Sequence, residues 1–246
     1  MVPLSQLPVP LPNQPPVGYH LEHGDISVFS TTTACHTAIN ERDKFLGKTR
    51  CVICGYYGSV IQPCHIINPE EGTWSDLQHR GWIPRVLPQH EPRNSLILCG
   101  NHDSYFDGYD FFIRFFPEVS LISLCFESSI NKKQIQKFVV VNYSDHPNLR
   151  KFHGKAIALD IKDRHAPFPS LFIIHEMRAR GFHPFAPTNP DMPNDIAWQD
   201  WILSESVFDD VSHSFKRNSL PHDGNSSVTI QAQPQFLPAT TNAGGV

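Results

Sequence analysis

The 246-residue sequence predicts an α+β fold flanked by unstructured tails, on three observations. Proline supplies 22 residues and gathers at the ends, with six in residues 1–18 and seven in 184–246, where it works against a packed core. Between those ends, short β-branched runs alternate with stretches whose apolar residues recur at helical spacing. Two pairs of metal-ligand residue types, Cys51/Cys54 and Cys99/His102, stand at either end of a strand-loop-strand stretch, each with two residues between its members. One domain, residues 19–185, is therefore expected, although the length alone would allow two.

Residues 1–18 are read as a disordered, proline-rich tail. Residues 20–30, with Ile26, Val28 and Phe29, suggest an edge strand before a threonine-rich turn. Residues 48–54 lead into a turn at Cys54-Gly55. SVIQPCHII (59–67) is a strand that Pro63 confines to an edge or a bulge. Residues 68–93, with Trp74, Trp82 and four prolines, read as a loop with local packing. SLILC (95–99) is its partner strand, and residues 101–116 have helical spacing despite Gly108. Phe111, Phe112, Phe115 and Phe116 are expected in the core. KFVVVNY (137–143) is a strand by β-branching, and IALDI (157–161) a weaker one. Residues 168–180 form a helix stopped at Gly181, with Arg178 and Arg180 in its last turn. The remainder, 186–246, is a mostly disordered acidic tail with one short helix around 198–206.

The net charge of −4 excludes a polycation that would hold nucleic acid by bulk charge. The middle is different: residues 137–185 carry eight basic against four acidic side chains, while 186–246 carry two against seven. Lys151, Lys155, Lys162, Arg164, Arg178 and Arg180 are candidate phosphate contacts or, equally, solvated surface. No apolar run approaches the ~20 residues of a membrane span, and no basic-then-apolar leader opens the chain. The expectation is an intracellular protein, cytoplasmic or nuclear, not secreted and with no membrane partner. Six cysteines are then ligands or buried thiols rather than a disulfide framework.

Cys51, Cys54, Cys99 and His102 carry the strongest chemical signal. Two intervening residues let both members of a pair reach one tetrahedral ion, and thiolates with an imidazole are the donors of a closed structural Zn²⁺ site. The bland alternative is that the cysteines are ordinary buried thiols and His102 a surface residue. Between the pairs lie Cys64-His65 at the end of the first strand and Arg93-Asn94 before the second. Asp103 follows His102, and Asp107 lies one turn on. His79 and His90 fall in the long loop and are more simply solvated.

CVIC, CHII, RNSLILC and NHDSYFD, in that order, resemble an HNH endonuclease of the ββα-metal type. The core resemblance spans residues 48–116, and a wider likeness to fungal HNH-domain proteins extends to about 185. It implies a zinc-stapled ββα-metal core followed by a strand and helix extension over 137–185. It also implies metal-dependent hydrolysis of DNA phosphodiester bonds, with His65 as general base and Asn94 holding the loop that carries it. Asp103 would bind the catalytic divalent metal, Mg²⁺, Mn²⁺ or Zn²⁺, together with Cys64. Independently, phosphodiester hydrolysis needs a base effective near neutral pH and a cation beside the leaving oxygen.

Two positions depart from the family pattern. Cys64 stands where many relatives have Asp, and a thiolate favours Zn²⁺ over Mg²⁺. Asp103 stands where His or Asn is usual and adds negative charge near a phosphate. These departures favour an alternative function: a catalytically inactive zinc module that binds DNA or a protein partner. A second register would make His102 the catalytic-metal ligand and leave the three cysteines an incomplete site. Residues 119–136 interrupt the resemblance, which otherwise runs from Phe-Pro-Glu almost directly to Lys-Phe-Val. They are read as a retained short intron, or else as a genuine insertion.

Overall fold

The computed structural model describes residues 2–4, 11–19, 32–68, 72–85, 91–117 and 136–218, and it mixes helices with small antiparallel sheets. Strand β1 (Ile61–His65) pairs with β2 (Ser95–Cys99), with Ile61 opposite Cys99 and His65 opposite Ser95. Pro63 is accommodated because this sheet has only two strands and β1 is an edge. Every residue of β2 is buried. One face of it, through Ile97, meets Cys35 and Ile39 of α1 (Thr32–Arg42). The other, through Leu96 and Leu98, joins the main core, which explains an unbroken apolar run where alternation would mark a half-exposed strand.

The residues after α1 fasten this unit. Buried Arg42 donates to the carbonyls of Pro92 (3.0 Å), Ser95 (2.7 Å) and His165 (3.0 Å), and Asp43 accepts the Ile97 N–H at 3.0 Å. The segment entering β2 is thus held from three sides. Helix α1 occupies the position read as a threonine-rich turn, and the expected strand over 20–30 lies outside the described residues.

The expected loop over 68–93 contains a helix, α2 (Gly72–His79), whose Trp74 and Leu77 are buried along with Trp82. β2 runs directly into α3 (Gly100–Asp107). The helix expected over 101–116 therefore stops nine residues early. Tyr109 takes a left-handed φ of 60° and turns the chain. FFIRFF then forms strand β3 (Phe111–Phe116), antiparallel to β4 (Lys137–Asn142), with Phe111 opposite Asn142 and Phe116 opposite Lys137. Phe111, Phe112 and Phe115 are core residues and Phe116 is half-buried. α4 (Pro169–Phe182) crosses this sheet, with Phe172 edge-on to Phe138 and Glu176 in a buried ion pair with Arg114. Gly181 lies inside α4 rather than ending it.

Residues 157–161 form no strand. Ile157, Ala158 and Leu159 are buried because this irregular segment crosses the Cys51–Cys54 loop, the Ala158 N–H donating to the Val52 carbonyl at 3.1 Å. Both ends are more structured than expected. Val2 and Pro3 pair with Met192 and Asp191, Leu4 is buried, and the Tyr19 hydroxyl donates to the Phe115 carbonyl at 2.7 Å. Met192, Ile196, Trp198, Ile202, Val207 and Phe215 join the core, and α5 (Asp200–Ser204) is the short helix. Aromatic and aliphatic residues in that stretch outweigh its acidic and proline content as far as residue 218. Among the described residues, no helix is long and apolar enough to cross a membrane.

Candidate metal centres

The loop from Cys51 to Gly55 is a tight knuckle. The Gly55 N–H donates to the Cys51 carbonyl at 2.9 Å, and Gly55 takes φ 72°, which a side chain would resist. A Cβ there would also collide with the Trp201 indole, whose N–H donates to the Ile53 carbonyl at 2.9 Å. The Val52 N–H bonds the Ile97 carbonyl at 3.0 Å, tying the knuckle to β2. The other two donors, Cys99 and His102, come from the end of β2 and the first turn of α3.

These four side chains converge: one ligand atom from each of Cys51, Cys54, Cys99 and His102 lies within 4.8 Å of every other. Cys54 and Cys99 sulfurs are 3.8 Å apart, and the His102 Nδ1 is 3.6 Å from Cys51 and 3.1 Å from Cys99. A tetrahedral ion with Zn–S bonds of ~2.3 Å sets ligand-to-ligand edges of roughly 3.7 Å. The sulfur-to-sulfur edge and the longer sulfur-to-nitrogen edge match that value, so the donor set fits a metal ion. Its proton chemistry agrees. Burial, then hydrogen bonds with its neighbours, pushes the Cys51 thiol well up. At Cys54 a bond from Cys51 pulls down, but the bond to Cys99 and burial win and lift it to about 12. Cys99 accepts from both and is held low. Thiols that crowd one another in this way suit a cation, which binds them as thiolates.

A second group forms between β1 and α3, where Cys64, Asp103 and Asp107 also bring ligand atoms within 4.8 Å of one another. Cys64 is buried, Asp103 half-buried and Asp107 exposed. The Cys64 thiol lies 3.9 Å from the Asp107 carboxylate, and Gln62 donates its amide N–H to Asp103. Burial first, then a hydrogen bond with Asp103, raises the Cys64 thiol, which keeps its proton. Burial and the charge of Asp103 raise Asp107, against smaller lowering effects from Cys64 and His65. Two carboxylates that crowd each other are relieved by a cation, and a hard, oxygen-liking divalent ion suits this pair.

His65 is exposed at the end of β1, near enough to Asp107 for its charge to act on that carboxyl. The two residues that follow it are held by Asn94, which is fully buried. Asn94 Oδ1 accepts the Ile67 N–H at 3.0 Å, its Nδ2 donates to the Ile67 carbonyl at 2.7 Å, and its own carbonyl accepts the Ile66 N–H at 2.9 Å. His102 lies in the sulfur group and Asp103 in the carboxylate group, the division of the first register.

Three of the six basic candidates are committed elsewhere. Lys155 is paired with Asp200, Arg180 with Glu176, and Arg178 donates to Thr73, while Lys151, Lys162 and Arg164 are exposed. His79 is exposed at the end of α2, and His90 and Cys125 lie outside the described residues. Asp107 was missed as a candidate ligand, although Asp103 and Asp107 at i and i+4 share one helix face. Trp201 was missed as the cover of the knuckle, and no local spacing marks it.

Neither the comparison with curated proteins nor that with solved structures returned a match. Residues 51–114, the span that carries both donor groups, Asn94 and the paired strands, match the family model described as HNH endonuclease, which supports membership of this segment in the HNH superfamily.

Proposed function

We propose that the chain is a metal-dependent HNH-type endonuclease that hydrolyses DNA phosphodiester bonds. The observation that carries this reading is the juxtaposition of exposed His65, next to Cys64 on β1 and near enough for its charge to act on Asp107, with the Cys64–Asp103–Asp107 group. In this reading the sulfur group is a structural zinc site of the ββα-metal type, and the fungal HNH-domain proteins are its relatives.

His65 takes the proton of the attacking water, since an imidazole is the side chain suited to that near neutral pH. Asn94 holds the turn at Ile66–Ile67 and so keeps the imidazole aimed outward. Asp103 and Asp107 hold the cation, with Gln62 occupying one oxygen of Asp103. A divalent cation bound there supplies the positive charge that offsets charge developing on the phosphate and the leaving oxygen. Without it, two carboxylates would repel the substrate.

The competing reading, a zinc module that binds without cutting, draws on the buried Cys64 thiol, a poor partner for Mg²⁺. Supercoiled-plasmid nicking in Mg²⁺, Mn²⁺, Zn²⁺ and Ni²⁺ separates the two. The nuclease reading expects nicking with at least one of them, and Asp107→Ala to lower it at limiting metal. Absence of nicking in every metal, with zinc bound at the sulfur group, would leave the binding module.

A further inference from the structure

Residues 55–60 (GYYGSV) link the knuckle to β1 and present Tyr56 (47 % exposed), Tyr57 (44 %) and Val60 (59 %) to solvent. Three of the eight large hydrophobic side chains exposed among the described residues thus fall within five consecutive positions, a patch rather than scatter. The patch is rigidly mounted. The Tyr56 carbonyl accepts the Cys51 N–H at 2.9 Å, and the Val60 carbonyl accepts the Gly100 N–H at 3.0 Å. Positive charge lies beside the patch. The Lys48 ammonium sits 3.8 Å over the Tyr57 ring and Arg50 lies 4.9 Å from it. Arg50 is neutralised by Glu205, whereas Lys48 has no carboxylate partner among the described residues.

β1 leads from this patch to His65. Five residues at ~3.3 Å each put the two ends about 16 Å apart. Exposed Gln62 and half-buried Asp103 lie along the way. In chain order β1 therefore links the aromatic rings and the ammonium at its start to His65 at its end, with Cys64 of the carboxylate group just before it.

We propose that Tyr56, Tyr57 and Lys48 form a stacking platform for unpaired bases, gripping a single-stranded stretch of the substrate a few nucleotides from the phosphate that His65 addresses. This rests on the nuclease reading for the address, though not for the binding. Tyrosine rings this exposed can stack on a flat π-system, and the Lys48 ammonium beside Tyr57 is placed for the adjoining phosphate. Paired bases in a duplex stack on each other and show only their edges, so open ring faces favour unpaired strand. A protein partner would have to leave the ammonium without a carboxylate or bring one.

The test is fluorescence anisotropy of a short labelled single strand, and of its duplex, with the full chain carrying His65→Ala to block cutting. The combined Tyr56→Ala and Tyr57→Ala change is expected to weaken single-strand binding about tenfold or more and duplex binding much less. Tyr57→Phe keeps the ring and the affinity. Lys48→Ala weakens binding and reduces the salt dependence by about one phosphate. Zinc content and melting temperature of each variant, unchanged, exclude a folding defect. Single-strand affinity within about twofold of the parent, or no single-strand binding by the parent, overturns the platform; the second result assigns the patch to a protein. If the platform variants lose binding while the chain with His65 intact nicks nothing, the platform stands and the nuclease reading falls. If the chain with His65 intact nicks and the platform changes made in it leave its KM unchanged, the reverse holds.

Discussion

Asn94 spends its whole side chain on the backbone of one residue. Both of its amide bonds go to Ile67, in a place with no water to replace them. Asn94→Ala should therefore cost about 2–4 kcal/mol, since two buried backbone groups lose their partners, and urea unfolding measures it. Nicking should fall further than stability explains at a denaturant-free, fully folded temperature, because the turn next to His65 is released. Single residues differ in how far the sequence reveals them. Cys51, Cys54, Cys99 and His102 are visible because a knuckle leaves a fixed local spacing. Asn94 and His65 are visible only through resemblance to the HNH pattern, since a lone Asn or His carries no spacing of its own. Asp107 had a spacing, i+4 from Asp103, that reads equally well as a solvated helix face.

At the scale of elements, the strand pair before α3 follows from β-branched runs on both sides of a loop, and it was legible. The break in the following segment was not. Apolar spacing in NHDSYFDGYDFFIRFF fits a helix throughout, and only the turn at Gly108-Tyr109 and the partner β4 make FFIRFF a strand. That partner lies beyond residues 119–136, so the sequence separates what the structure pairs. The same register bears on residues 119–136. Phe116 already faces Lys137, and only Pro117 and Glu118 would join them if 119–136 were deleted, a two-residue hairpin loop. We expect that deletion to leave zinc content unchanged and the urea midpoint no lower than the parent's. A loss of soluble protein or a lower midpoint would make the segment a working part of the fold; nearly all of it lies outside the described residues. The Arg114–Glu176 pair couples this hairpin to α4. Glu176→Ala takes the carboxylate away from a buried guanidinium and should destabilise by about 3–5 kcal/mol, read from the same unfolding curves.

The whole molecule draws on more of the chain than its composition suggests. Proline and acidic content hid the packing of residues 2–4 and 186–218, because composition averages over a stretch while burial depends on single aromatics such as Trp198 and Trp201. One buried group gives stability a distinct dependence on pH. His175 stacks on Phe106 with ring centres 3.7 Å apart and donates to the Phe106 carbonyl at 3.2 Å, and burial pushes its pKa down to about 3. Unfolded, it titrates near the ordinary histidine value of ~6.5. The unfolded chain therefore binds a proton that the folded chain refuses. This contribution is complete above pH ~6.5 and is lost as pH falls toward 3, at up to about 1.4 kcal/mol per pH unit. Urea midpoints of the parent and His175→Gln at pH 7 and pH 5 isolate it: the parent should lose more than the variant, and equal losses would remove His175 from the account.

The proposed nuclease joins the two donor groups in one reaction at His65. The most direct measurement is the plasmid-nicking rate of His65→Ala beside the parent, at equal zinc content and in the metal that best supports the parent. The account predicts a fall of about 100-fold or more with zinc retained, the usual loss when a general base is removed. Nicking at the parent's rate by the zinc-loaded variant would contradict it.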